Sequence, residues 1–321
     1  MVQRFIDLHC DTLLRMQQEN QTLENAAGHI SLDKLCEGGA MLQCFAAFIP
    51  SYKTAEAYGI TESGWDYFQR LAALFRKETE KYPYKLAPVR SAADIEENRD
   101  HGLVSAMLTV EDGACIEGDL NRLRSMYALG VRLITLTWNY ENCIGFPNSP
   151  DPDLHRMGLK EFGFETLAEM EKLGMLVDVS HLSEGGFWDV ARESKKPFVA
   201  SHSCARALCE HSRNLTDAQL RTLGDRGGIC GVNFYSRFLR PDAGHTENAD
   251  ILRHMEYIAD HAGIEAVALG SDFDGIDCTL EMKDYRGMPH LGDMIADRFG
   301  SAAAEKICHD NALRVFAEVI G

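Results

Sequence analysis

The sequence predicts a closed (β/α)8 barrel of the TIM type, α/β in class, formed by residues 1–321 as a single domain with a long loop over its C-terminal face. Two observations predict it. Eight short apolar, β-rich runs alternate with helical patterns along nearly the whole chain, which argues for parallel βα units. Ligand-type polar residues then fall at the C-terminal ends of these runs, the face that carries the chemistry in such barrels. The chain of 321 residues is long for one domain, yet α/β barrels reach this size as single units. An open doubly wound sheet is the alternative, but no Gly-x-Gly-x-x-Gly turn supports it.

In order, the runs are "RFIDLHCD", "LQCFAAFIP", "LVSAMLTVEDG", "VRLITLTWN", "LVDVSHLS", "PFVASHS", "GICGVNFY" and "AVALGSDFDG". Helices are expected over Glu56–Lys81, Ala92–Asp100, Asp119–Leu129, Arg156–Leu173, Glu184–Glu193, Asp217–Asp225 and Ala249–His261. "TDAQL" offers Thr216 as an N-cap with Gln219 three residues on, a capping-box pattern. Gly174 reads as a helix stop before the next strand. The stretch "NYENCIGFPNSPDPDLHR", rich in Asn, Pro and Asp, predicts a long loop above the fourth strand. The tail "NALRVFAEVIG" reads as a closing amphipathic helix.

A hydrophobic fraction of 45% with 25% charged residues is ordinary for a globular protein. The net charge of −17 argues against nucleic acid or an acidic membrane as partner. Ten scattered cysteines without a Cys-x-x-Cys pair read as reduced, small hydrophobes of a cytoplasmic protein. Cys204 and Cys209 lack the further partners that a zinc thiolate site needs. Neither an export signal nor a membrane anchor is expected.

On a strand, residues two apart share a side. His9 and Asp11 can therefore aim at one point while Cys10 faces away, and an imidazole with a carboxylate suits a divalent metal. Glu111, Asn139, His181, His202 and Asp272 stand at the ends of other runs. Parity predicts that Val177, Val179 and His181 face inward together, as do Phe198, Ala200 and His202, and Ala268, Gly270, Asp272 and Asp274. Asp112 and Asp274 each precede a glycine, which gives them a turn reading as well. His211, His245, His254 and His261 read as surface histidines, and Glu141 as solvated loop charge.

Together "DLHCD", "TVEDG", "DVSHLS", "SHS" followed by "SRNLTD", and "GSDFDG" resemble the membrane or renal dipeptidases, in the bacterial short form. These are metallopeptidases among the amidohydrolase-like barrels, and the resemblance spans essentially the whole chain. It implies two zinc ions: His9 and Asp11 on one, His181 and His202 on the other, with Glu111 bridging them. Such a pair would bring the pKa of a bridging water near neutrality and polarise a peptide carbonyl. Asp272 would be the general acid/base, and Arg213 would grip the carboxylate of a dipeptide. The family tolerates a D-residue at the C-terminal position and suggests a homodimer. Where mammalian relatives carry a substrate-binding histidine after "LTLT", this chain has Trp138. Asn139 is the candidate for the missing hydrogen bond, and Trp138 and Tyr235 for the pocket wall.

Two other functions compete. One is a binuclear amidohydrolase acting on cyclic amides, esters or phosphotriesters, which would gain little from Arg213. The other is a non-catalytic metal-binding barrel, which would not require Asp272.

Overall fold

The computed structural model describes residues 4–241 and 244–321. Its main sheet contains eight strands that close on themselves: β1 (Phe5–Asp7), β2 (Ala40–Phe48), β3 (Val104–Glu111), β4 (Val131–Thr135), β5 (Leu176–Asp178), β6 (Val199–Ser203), β7 (Ile229–Val232) and β8 (Val267–Leu269). Each pairs in parallel with the next, and β8 returns to β1 through Asp7 opposite Leu269. The longest ladder joins β2 to β3, from Leu42 opposite Ser105 to Phe48 opposite Glu111. A ninth strand, Leu86–Pro88, adds to the foot of β3. The predicted (β/α)8 barrel is therefore present.

Helices cover the outside, and local chemistry sets their ends. Ser91 and Asp94 form a capping box at the start of Ala92–Asp100, as Thr216 and Gln219 do for Asp217–Asp225. Gly174 ends Glu161–Leu173 at φ +74°, where a Cβ would stand 3.1 Å from the carbonyl of Val319. Two expected helices begin later than predicted. Ala55–Tyr58 is one 3-10 turn ended by left-handed Gly59, and the long helix starts at Gly64 behind a Ser63 cap. Likewise Pro152–His155 is a separate turn, and the next helix begins at Glu161. Helices Thr12–Glu19, Leu32–Glu37 and Met288–Phe299 were not anticipated. No helix among the described residues is long and apolar enough to cross a membrane.

The interior is apolar at its base. Ile6, Leu42, Met107, Leu133, Leu176, Val199, Ile229 and Ala268, one from each strand, pack with Ala312, Val315, Phe316 and Val319 of the terminal helix Asn311–Val319. That helix closes the foot of the barrel. Val177, Val179, Phe198 and Ala200 instead join the larger cluster between strands and surrounding helices. The expected inward side of β5 and β6 is thus reversed.

Both histidines still reach the centre, because each strand breaks its pleat first. His181 lies past β5 in a left-handed turn at φ +64°. On β6 the register with β7 shifts between Ala200 and Ser203, and His202 sits in that shift.

Candidate metal centre

Five side chains from four strand ends gather around Glu111, which ends a fifth strand. Its Oε1 lies 3.0 Å from Nε2 of His181 and 3.6 Å from Nε2 of His202. Its Oε2 lies 3.6 Å from Nε2 of His9. His9 Nε2 is in turn 3.4 Å from Asp11 Oδ2 and 3.9 Å from Asp272 Oδ1. The ring of His9 stacks on that of His202 with centroids 3.9 Å apart. The two oxygens of Glu111 are therefore divided between the His9 side and the His181–His202 side.

Burial makes this arrangement costly for the protein alone. His9 and His202 are fully buried, and Glu111 and Asp11 nearly so. Burial and the neighbouring charge of Asp11 push the Glu111 carboxyl up to about 8. Burial raises Asp272 to about 6, with His9 opposing. His181 and His202 are held well below the usual imidazole range, by burial first. Burial lowers His9 as well, but Glu111 and Asp11 outweigh it and raise its pKa well above the usual imidazole range.

The residues fit a divalent cation. Both ring nitrogens of His9, Nε2 of His202 and Oδ1 of Asp11 are buried without hydrogen-bond partners among the described residues. Groups of that kind are rare unless something else satisfies them. His9, Glu111 and His202 form one cluster of candidate ligand atoms, and His9, Asp11 and Asp272 another. Mixed imidazole and carboxylate donors are a zinc-type set.

Surrounding residues orient these groups. Nδ1 of His181 donates to Oδ1 of Asn139 at 3.1 Å, which leaves its Nε2 facing Glu111. Asn139 lines the cavity, and its carbonyl oxygen is engaged with a histidine. Asn233 donates to Asp272 Oδ2 at 2.8 Å and favours the ionised carboxylate. Asn233 was missed in the sequence, although it is a polar residue at the end of an apolar run. Asp274 accepts from Thr12 at 2.7 Å and from the backbone of His29 at 2.6 Å. It fastens two loops and is spent as a structural residue. Asp112, at φ +73°, accepts from Ala114 and Asn142 and likewise shapes a turn.

Above the cluster opens a cavity of about 410 Å³, a size suited to a small molecule. Phe48, Tyr58 and Trp138 form one wall, with Trp138 edge-on to Phe48 at 4.8 Å. Tyr235 and Phe238 form the other, 4.9 Å apart. Trp138 and Tyr235 thus both line this cavity.

Arg213 lies behind Phe238, its guanidinium 5.3 Å from the ring centroid. It is buried, donating to the His202 carbonyl at 3.1 Å and Ser203 Oγ at 3.4 Å. Its Nε has no partner, and no carboxylate of the described residues pairs with it. Burial lowers its pKa, against the fields of Asp272 and Glu111. It is no solvated surface arginine.

Across residues 2–320 the sequence matches the family model described as membrane dipeptidase, peptidase family M19. The chain belongs to that family. It is a metallopeptidase-type hydrolase acting on dipeptides. An uncharacterised dipeptidase of Schizosaccharomyces pombe is 36% identical over 85% of this chain and 69% of its own length. The dipeptidase aclJ of Aspergillus oryzae is 31% identical over 91% of this chain and 70% of its own length. The crystal structure of the metallopeptidase called dipeptidase AC superposes with a TM-score of 0.89 at 30% identity, covering 100% of both chains. A Rhodobacter sphaeroides metallopeptidase, solved with a phosphinate mimic of L-Ala-D-Ala, also gives 0.89 at 29% identity, over 99% of this chain and 100% of its own. Membership of family M19 carries with it a metal.

Proposed function

We propose that this M19 dipeptidase works as one barrel domain with two zinc ions: one held by His9 and Asp11, the other by His181 and His202, and both by Glu111. The observation that carries this reading is the division of the Glu111 oxygens between the two histidine groups. When bound, the zinc pair supplies Lewis-acid polarisation of the scissile carbonyl and a lowered water pKa.

The protein's own groups do the rest. Asp272 accepts a proton from the attacking water and delivers it to the leaving amine, held in line by Asn233. Arg213 draws the substrate's free carboxylate toward β6. A buried cation without a carboxylate partner gains most from such a guest. That pairing selects dipeptides and disfavours the cyclic amides and esters of other binuclear barrels. The aromatic walls exclude water from the reacting bond and hold the side chains.

The R. sphaeroides relative's phosphinate ligand supports L,D-dipeptides such as L-Ala-D-Ala as substrates. The resemblance to renal dipeptidases supports a homodimer, and ten free cysteines support a reducing, cytoplasmic setting.

The specificity half is tested with Arg213→Met. It should weaken kcat/KM for a dipeptide by about 1.5–3 kcal/mol and barely change that for the corresponding dipeptide amide. Equal losses on acid and amide would move carboxylate recognition elsewhere.

A further inference from the structure

Asp178, at the end of β5, is a fully buried carboxylate that the proposed ligand set leaves unused. Asp178 takes four donors: the backbone N–H groups of Ser180 at 2.9 Å and Ser201 at 2.8 Å on Oδ1, and the hydroxyls of Thr135 at 2.6 Å and Ser201 at 2.5 Å on Oδ2. A carboxylate receiving four donors acts as a pure acceptor. The single proton of Ser201 Oγ is therefore directed at Asp178. Its lone pair is left facing Nδ1 of His202, 2.7 Å away. Nδ1 must then carry the hydrogen. Nε2, which has no hydrogen-bond partner, keeps its lone pair toward Glu111.

The molecule contains a comparison for this arrangement. Asp7 clamps Ser271 in the same way, through its N–H at 2.7 Å and its hydroxyl at 2.6 Å. Ser271 immediately precedes Asp272, as Ser201 precedes His202. The further contacts of Ser271 Oγ, however, are the His9 carbonyl at 3.3 Å and the Phe273 N–H at 3.1 Å. That clamp holds only backbone. The one on Asp178 continues into an imidazole.

We propose that Asp178, acting through Ser201, is a positioning residue that fixes His202 as its Nδ1–H tautomer and so keeps Nε2 open to a metal. The inference rests on the reading of His202 as a zinc ligand. A histidine whose rear N–H is held in this way is a better oriented and more basic ligand, and loss of such support typically weakens metal binding about 10–100-fold.

Chelator competition and ¹⁵N-histidine NMR on the zinc-loaded enzyme test it. The wild-type chain should show an exchange-protected proton on Nδ1 of His202. Ser201→Ala should lose that protection and release one zinc about 10–100-fold more readily. Ser271→Ala, which breaks the matching clamp without touching a ring, should loosen zinc far less. An unprotected Nδ1 in the wild type overturns the proposal, and this measurement stands even if Ser201→Ala does not fold. Unchanged zinc release in Ser201→Ala, or equal loosening in both serine variants, also overturns it. A wild-type chain that takes up no zinc at all would instead refute the underlying metal reading.

Discussion

At the foot of the barrel, Ile6, Met107, Leu133 and Val199 meet Phe316 of the terminal helix in an apolar cluster. A few residues further along the same strands, His9, Glu111 and His202 meet as buried polar atoms, several lacking partners. The backbone differs in step. Around the mouth, Asp112, His181, Asp272 and Asp274 all take positive φ, which non-glycine residues rarely adopt. Strain of about 1–3 kcal/mol per residue persists only where the surroundings over-determine the chain. The base supplies that determination, and the mouth uses it to aim side chains that regular pleating would misdirect. Substitutions at the two ends should therefore separate stability from activity.

The largest separation is expected at Asp272. Asp272→Asn keeps the shape but cannot accept a proton, so kcat should fall roughly 10²–10⁴-fold with metal content retained. Thermal stability should hold or rise, because a carboxyl that burial pushes up to about 6 is replaced by a neutral amide. Near-normal turnover at full metal content would remove Asp272 from the proton path.

Phe316→Ala should show the reverse pattern. Emptying that fully buried site costs about 3–5 kcal/mol, visible as a lowered denaturation midpoint. The kcat and metal content of the folded fraction should match wild type. A kcat loss as large as the one at Asp272 would mean that the two ends are not independent.

The smallest effect concerns His254, which belongs to neither end. It was expected at the surface but is fully buried, accepting from Ala205 N–H on Nδ1 and donating from Nε2 to the Leu239 carbonyl. Burial lowers its pKa from 6.5 to about 4. Between those values the unfolded chain binds the proton and the folded chain does not. The stability from the neutral ring is complete above pH 6.5 and is lost as pH falls toward 4, by up to about 3 kcal/mol. Urea titrations across that window should have a shallower pH slope for His254→Gln. An unchanged slope would clear His254 of this role.

The barrel was legible because strand-like and helix-like periods alternate so regularly, and the site because ligand-type residues end the strands. The inward direction of β5 and β6 was not legible. Parity assumes an unbroken pleat, whereas His181 turns left-handed and His202 sits in a register shift. The candidate ligands meet at the mouth despite that error, since position at a strand end does not depend on parity. The role of Asn139 was hidden for another reason: only three dimensions bring a loop amide behind a histidine ring. His254 lies on an amphipathic helix, and nothing in its neighbours announces that two main-chain groups from elsewhere would satisfy both nitrogens.

The central claim is that Glu111 joins two metal ions at the mouth of the barrel. Anomalous diffraction at the zinc edge from crystals of the zinc-loaded protein tests it most directly. The predicted result is two peaks per chain about 3.5–4 Å apart, one beside Asp11 and His9, the other beside His181 and His202, each within bonding distance of a Glu111 oxygen. A single peak, or two peaks that do not share Glu111, would contradict it.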